Sequence, residues 1–120
     1  YTGMNVDSVS SEEYFDKLSF SSYEVEGVKK ALESRGQFVI LCGIEAHVCV
    51  LQTAIDLKEA GFTPILVTDC ISSRKESDKE IALLRAQQEG ILLTTSEAIL
   101  FELTRRAGSD VFKQISKLVK

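Results

Sequence analysis

A chain of 120 residues fits one domain. Its 44% hydrophobic and 27% charged residues are ordinary for a globular fold, and a net charge of -4 argues against the basic face that nucleic-acid binding requires. No apolar run approaches the roughly 18 residues of a membrane span, and no basic region followed by an apolar stretch opens the chain, so neither a membrane protein nor a signal peptide is expected.

Tyr1 to about Asp16 are polar and without clear period, and read as loop with a short helix near Glu12. From Tyr23 to Ser34, Val25, Val28 and Leu32 recur at helical spacing, with Gly36 as the candidate C-cap. Gln37 to Cys42 is a continuous apolar run ahead of Gly43, the pattern of a strand buried on both faces of a parallel sheet. Val50 to Ala60 is predicted helical, with Val50, Leu51, Ala54 and Leu57 inward and Gly61 as its stop. Thr63 to Thr68 is the second strand, with Pro64 near its start.

Ser77 with Glu80 three residues on forms a capping box for the next helix, whose Ile81, Leu84, Arg85 and Gln88 are expected on one inward side before Gly90. Ile91 to Thr94 is the third strand. Ser96 is the candidate cap for a helix from Glu97 to about Arg106. Asp110 is the candidate cap for a last helix with Val111, Ile115, Leu118 and Val119 inward. Strands alternating with helices imply right-handed crossovers and an α/β fold with a parallel sheet between helical layers.

In open parallel sheets, sites form at the carboxyl ends of strands, here Gly43 to Cys49, Asp69 to Ser77 and Thr94 to Glu97. The first carries the strongest signal. A strand ends at Cys42, a short loop follows, and Cys49 stands where a helix begins. Helix-end N–H groups and the dipole favour a thiolate there, and the same N–H groups can receive an oxyanion. Cys42, within the apolar strand, reads as core, and Cys70 as packed behind the second strand. With no CxxC pair and His47 as the only histidine, the three cysteines suit neither structural zinc nor a disulfide framework; they read as reduced thiols of a cytoplasmic protein. His47, in the loop before Cys49, can touch substrate or support a group that does, or be structural or exposed, the preferred reading, and Glu45 reads the same way. Ser72 and Arg74 sit at the right end of the sheet to line a substrate, where Arg74 can meet a carboxylate or pair with Glu76 on the surface, the preferred reading.

GIEAHVCVLQTAIDLKEAGF, Gly43 to Phe62, resembles the nucleophile segment of the isochorismatase-like cysteine hydrolases, and so does ILVTDCISSRKESDKEIALLRAQQEGILLTTSEAIL, Ile65 to Leu100. The resemblance runs from about Phe15 to Lys120 and is nearest to the isochorismatase domain-containing proteins. It implies an Asp–Lys–Cys triad in which Cys49 is the nucleophile and Lys17, in Lys17-Leu18-Ser19-Phe20-Ser21, is the lysine. It also implies a non-proline cis peptide joining Ile44 and Glu45, with oxyanion donors around Ala46 and Cys49. The family aspartate ends an apolar strand that does not precede Lys17 here. The three predicted strands therefore match the last three of a six-stranded sheet, and a preceding segment roughly half this length or more is expected beside Phe38–Leu41, whose edge would otherwise be bare. The first residue, Tyr1 rather than Met, agrees with a processed or partial chain.

The implied activity is cysteine-dependent hydrolysis of a small amide or ureido compound, with a small-molecule substrate, a homo-oligomer, and no metal, other cofactor, nucleic acid or membrane. The alternative is an inactive relative serving as an oligomeric scaffold or interaction protein.

Overall fold

A computed structural model of the protein describes residues 14–105, 107 and 110–119; the short helix expected near Glu12 lies outside them. A 3-10 turn at Ser22–Glu24 leads into α1 (Glu26–Glu33), followed by β1 (Phe38–Ile44) and a wide π-helical turn (Ala46–Val50) that continues as α2 (Leu51–Glu59). Then come β2 (Thr63–Ser72), α3 (Glu76–Gln88), β3 (Leu92–Thr94), α4 (Ser96–Thr104) and α5 (Asp110–Val119). The sheet has three strands in the order β1-β2-β3, and both pairings are parallel. This is the α/β arrangement that the strand–helix alternation predicts.

β1 and β2 keep register from Phe38 opposite Thr63 to Leu41 opposite Leu66, and then slip. Pairing resumes with Gly43 opposite Ile71, so Cys42 alone faces the stretch Val67 to Cys70. The bulge lies at the carboxyl end of the sheet, where β1 hands over to the turn that carries Cys49. Bulges of this kind re-aim a strand near functional sites.

The core is a cluster of Ala46, Val50, Leu51, Ala54, Leu66, Ile71, Ala82, Ala86 and Ile91, drawn from the turn, α2, β2, α3 and the residue just before β3. α3 faces it with Ala82 and Ala86, not with the larger residues its sequence suggested: Ile81 is 57% and Leu84 54% exposed, and Arg85 and Gln88 are exposed too. Two alanines at i, i+4 spacing leave a shallow stripe that lets the helix backbone lie close to its neighbours, and that close approach selects the small face.

β1 is not buried on both faces. Phe38 is 67% and Ile44 71% exposed, and none of its residues is fully buried, because among the described residues β1 is an edge strand with β2 on one side only. For the same reason Cys42 is exposed instead of core. Cys70 lies within β2, which runs four residues past its expected end at Thr68, and it too is exposed.

Several caps also differ. α1 ends at Ser34, whose N–H bonds to Leu32, and Gly36 is not left-handed. Ser77 lies inside α3, which starts from Lys75 with no side-chain cap. Thr95, not Ser96, caps α4, its hydroxyl accepting from the Ala98 N–H at 3.2 Å, and the helix stops at Thr104 with Arg105 left-handed. α5 turns Ile115 inward and sets Phe112 5.5 Å from Phe101 between ring centres, while Val111 and Leu118 stay exposed.

Gly61 and Gly90 do end their helices as expected. Each has positive φ (97° and 77°), the residue after it donates to the carbonyl five back (Phe62 to Leu57, Ile91 to Ala86), and its own N–H bonds three back. A Cβ at Gly61 would meet nothing within 4 Å, so Gly61→Ala isolates the backbone cost. A loss of about 1 kcal/mol is expected, seen as a lower urea midpoint at unchanged slope. An unchanged midpoint would show that the left-handed cap contributes nothing.

Candidate active site

The peptide bond between Ile44 and Glu45 is cis. Glu45 is extended (φ -88°, ψ 141°), and its carbonyl accepts the N–H groups of Val48 (3.1 Å) and Val50 (3.2 Å), the second bond setting the wide turn. Helical structure thus begins at Ala46, one turn earlier than the sequence suggested. Cys49 lies inside the first coil and not at its mouth, and His47 belongs to the coil and not to a loop. Ala46 is 1% exposed, which seats the coil on the core, while Cys49 is half-buried.

Lys17 reaches this turn from 32 residues away. Its ammonium donates to the carbonyls of Ser19 (3.0 Å) and Phe20 (3.1 Å) and stands 3.8 Å from the Cys49 sulfur. Two short carbonyl contacts fix the ammonium where it can stabilise negative charge on sulfur. Lys17 and Cys49 line one cavity of about 210 Å³, together with Ile44 and the apolar Leu32, Val39 and Leu41.

The other candidates form a second cluster on the β2–α3 side. Glu45 accepts from the Arg74 backbone N–H (3.1 Å) and from its Nε (3.0 Å), so Arg74 pairs with Glu45 and not with Glu76. His47 Nδ1 is 2.8 Å from the Ser73 hydroxyl, and its Nε2 is 3.7 Å from Asp78 and 4.0 Å from Glu45. Ser72 is exposed at the end of β2, opposite Ile44. His47, Ser72 and Arg74 are not among the residues lining the Lys17–Cys49 cavity. His47, through Ser73 and Asp78, and Arg74, through Glu45, tie the cis-peptide turn to the loop after β2 and the first turn of α3. Among the described residues no three His, Cys, Asp or Glu side chains converge as a metal site requires.

The sequence pattern of the Isochorismatase domain family matches residues 3–98. The chain belongs to the isochorismatase family. A "Secreted isochorismatase effector Isc1" of Phytophthora sojae is 40% identical over 97% of the chain and 56% of its own length. "Isochorismatase domain-containing protein 2" of Danio rerio is 45% identical over 86% of the chain and 53% of its own length. Among solved structures, one titled MAR1 ribonuclease, from Caenorhabditis elegans, has a TM-score of 0.80 at 43% identity, covering 88% of this chain and 54% of that one. A Pyrococcus horikoshii pyrazinamidase solved with zinc has a TM-score of 0.61 at 30% identity, over 71% of this chain and 48% of that one. The chain therefore spans about half the length of these isochorismatase-family relatives. No described helix is long and apolar enough to cross a membrane.

Asp69, at the carboxyl end of β2, is a tie between elements. Its carboxylate accepts the Ser96 hydroxyl and the Ser96 backbone N–H (2.8 Å), joining β2 to the start of α4. The Ser96 hydroxyl first, then its N–H, hold the Asp69 carboxyl below its ordinary range. Beside it, partial covering of the sulfur, with Asp69 and Cys42 nearby, pushes the Cys70 thiol up. A carboxyl depressed on folding adds stability above the ordinary carboxylate range and loses it as pH falls through the folded value. Asp69→Asn should therefore melt below the wild type at pH 7, and the gap should close as pH falls below the ordinary carboxylate range and through the lowered folded value. A gap that persists in acid would mean that the charge is not what holds Ser96.

Proposed function

We propose that this domain belongs to a cysteine-dependent hydrolase of small amides or ureido compounds that works through a thioester at Cys49. The observation that carries this reading is the 3.8 Å approach of the Lys17 ammonium to the Cys49 sulfur, inside one cavity, from 32 residues away. A lysine in a loop has no structural need to meet a half-buried thiol. A thiolate nucleophile does need a fixed cation, both before attack and as charge develops on the carbonyl oxygen.

The steps follow from that pair. Cys49 loses its proton to a base, which the family resemblance makes an aspartate outside this chain. The thiolate attacks the substrate carbonyl, a C–S bond forms, and the oxyanion is met by Lys17 and by backbone N–H groups near Ala46 and Cys49. The C–N bond breaks, ammonia or an amine leaves with a proton, and water cleaves the thioester to the acid and restores the thiol. The pyrazinamidase among the similar structures, named for an amide substrate, supports this class. The ribonuclease name of the C. elegans protein points elsewhere, and the net charge of -4 gives this chain little attraction for a phosphate backbone.

The test is made on the native protein. Iodoacetamide labelling read by peptide mass spectrometry should modify Cys49 about tenfold faster than Cys42 or Cys70, which are the internal controls. A panel of primary amides and ureido compounds should leave an acyl mass on the Cys49 peptide and release ammonia. Cys49→Ala should abolish both, and Lys17→Met should slow turnover by about 10²-fold. Equal labelling of all three cysteines with no acyl adduct would favour the scaffold reading. Cleavage of an RNA oligonucleotide unaffected by Cys49→Ala would replace the amide reading with a ribonuclease one.

A further inference from the structure

Among the described residues, the buried polar side chains are Ser21 and Thr53, 2% and 6% exposed. Both lie on the path between Lys17 and the nucleophile helix. Buried polar atoms are costly unless paired, so what pairs them is informative. The Ser21 hydroxyl accepts the Tyr23 N–H at 3.3 Å, and its carbonyl accepts the Ser19 hydroxyl at 2.9 Å. These bonds stay within the Lys17 loop. Thr53 is different. Its hydroxyl donates to the Cys49 carbonyl at 2.7 Å and accepts the Ser22 backbone N–H at 2.8 Å. One oxygen thus joins the residue that carries the nucleophile to the loop that carries the lysine.

The Lys17 loop is also tied to itself. The ammonium binds the carbonyls of Ser19 and Phe20, so Lys17 moves with this segment as a unit. Among the described residues it is held further by ring contacts: Tyr23 meets Phe62 edge-on at 6.0 Å between ring centres and lies 5.4 Å from the Lys29 ammonium, and the Phe15 ring lies against Gly27. Ring packing sets an approximate place but not a fixed distance. The Thr53 hydrogen bonds, in contrast, run directly from the loop to the Cys49 main chain at fixed short distances.

We propose that Thr53 is a positioning residue that holds the Lys17 ammonium against the Cys49 sulfur. This rests on the nucleophile reading above. A threonine bonding back to the carbonyl four residues earlier is common and slightly unfavourable in a helix. Here it has a use, because its remaining lone pair receives the Ser22 N–H.

The experiment compares alkylation of Cys49 by iodoacetate and by iodoacetamide, at low ionic strength. Both reagents need the thiolate, so their rate ratio cancels its population and reports the positive charge beside the sulfur. Lys17→Met should lower the ratio by about threefold or more. Thr53→Val, of matching shape, should lower it as far, and Thr53→Ser should restore it. Ser22→Pro removes the same bond from the other end and leaves Thr53 in place. Ser21 is already in the extended conformation (φ -71°, ψ 126°) that a following proline favours. That variant should match Thr53→Val, decides the matter if Thr53→Val fails to fold by circular dichroism, and should add nothing to it in the double variant. If Lys17→Met lowers the ratio while Thr53→Val and Ser22→Pro keep the wild-type value, the Thr53 role is overturned and the nucleophile reading stands. If Lys17→Met leaves the ratio unchanged, the Lys17–Cys49 arrangement fails, and this proposal fails with it.

Discussion

Ala46 and Ala54 are 1% and 0% exposed, and Ala82 and Ala86 on α3 are 3% and 0%. These four small side chains let the wide turn, α2 and α3 close on β2 with little room between them. The rest of the structure depends on that closeness. It seats the start of the coil on the core three residues before Cys49, and it brings the loop after β2 within reach of Glu45 and His47. A larger side chain at Ala54 or Ala86 would overpack the contact and push the coil off the sheet.

On this base the turn is braced from two sides by polar contacts. On one side Glu45 and His47 meet Arg74, Ser73 and Asp78, fixing the segment that enters the turn. On the other side Thr53 and Lys17 tie the segment leaving it to the loop at Ser19–Ser22. The thiol lies between. Arg74 is 86% exposed and Glu45 21%, so that bond is half in water and its energetic share is small. Its effect is geometric: one carboxylate oxygen receiving two donors of the same residue permits few orientations. Fixed geometry is what a nucleophile requires, and it needs little stability to be effective.

The three strands, their parallel sense and the approximate helix positions were legible because apolar period and element length survive in the sequence without knowledge of neighbours. What depends on a neighbour was not. The buried face of α3 was misread because Ile81 and Leu84 outweigh two alanines on any hydrophobicity scale, and only the approach of another backbone reverses the choice. The start of the coil at Ala46 was missed because Glu45 makes no side-chain cap. Arg74 was given the nearby Glu76, whereas its partner is 29 residues upstream. Lys17 entered the site through a family resemblance alone, since no spacing rule joins residues 17 and 49. Thr53 reads in sequence as one more helix residue, and its part appears only when Ser22 is beside it.

The Lys17–Cys49 pair also shows why position matters more than the presence of charge. Lys17 is exposed, and at such a site water screens the attraction between an ammonium and a neighbouring negative charge. At a separation near 4 Å the same pair is about four times stronger in the mixed environment near a protein surface than in bulk water. On the proposed reading, a substrate covering the cavity mouth would therefore strengthen the pair as charge moves onto it. That gain is realised only if the ammonium is already in place when water leaves, since a mobile lysine would follow the retreating solvent instead. Two carbonyls holding the ammonium, and a buried threonine holding their loop, are the parts of this structure that keep it there.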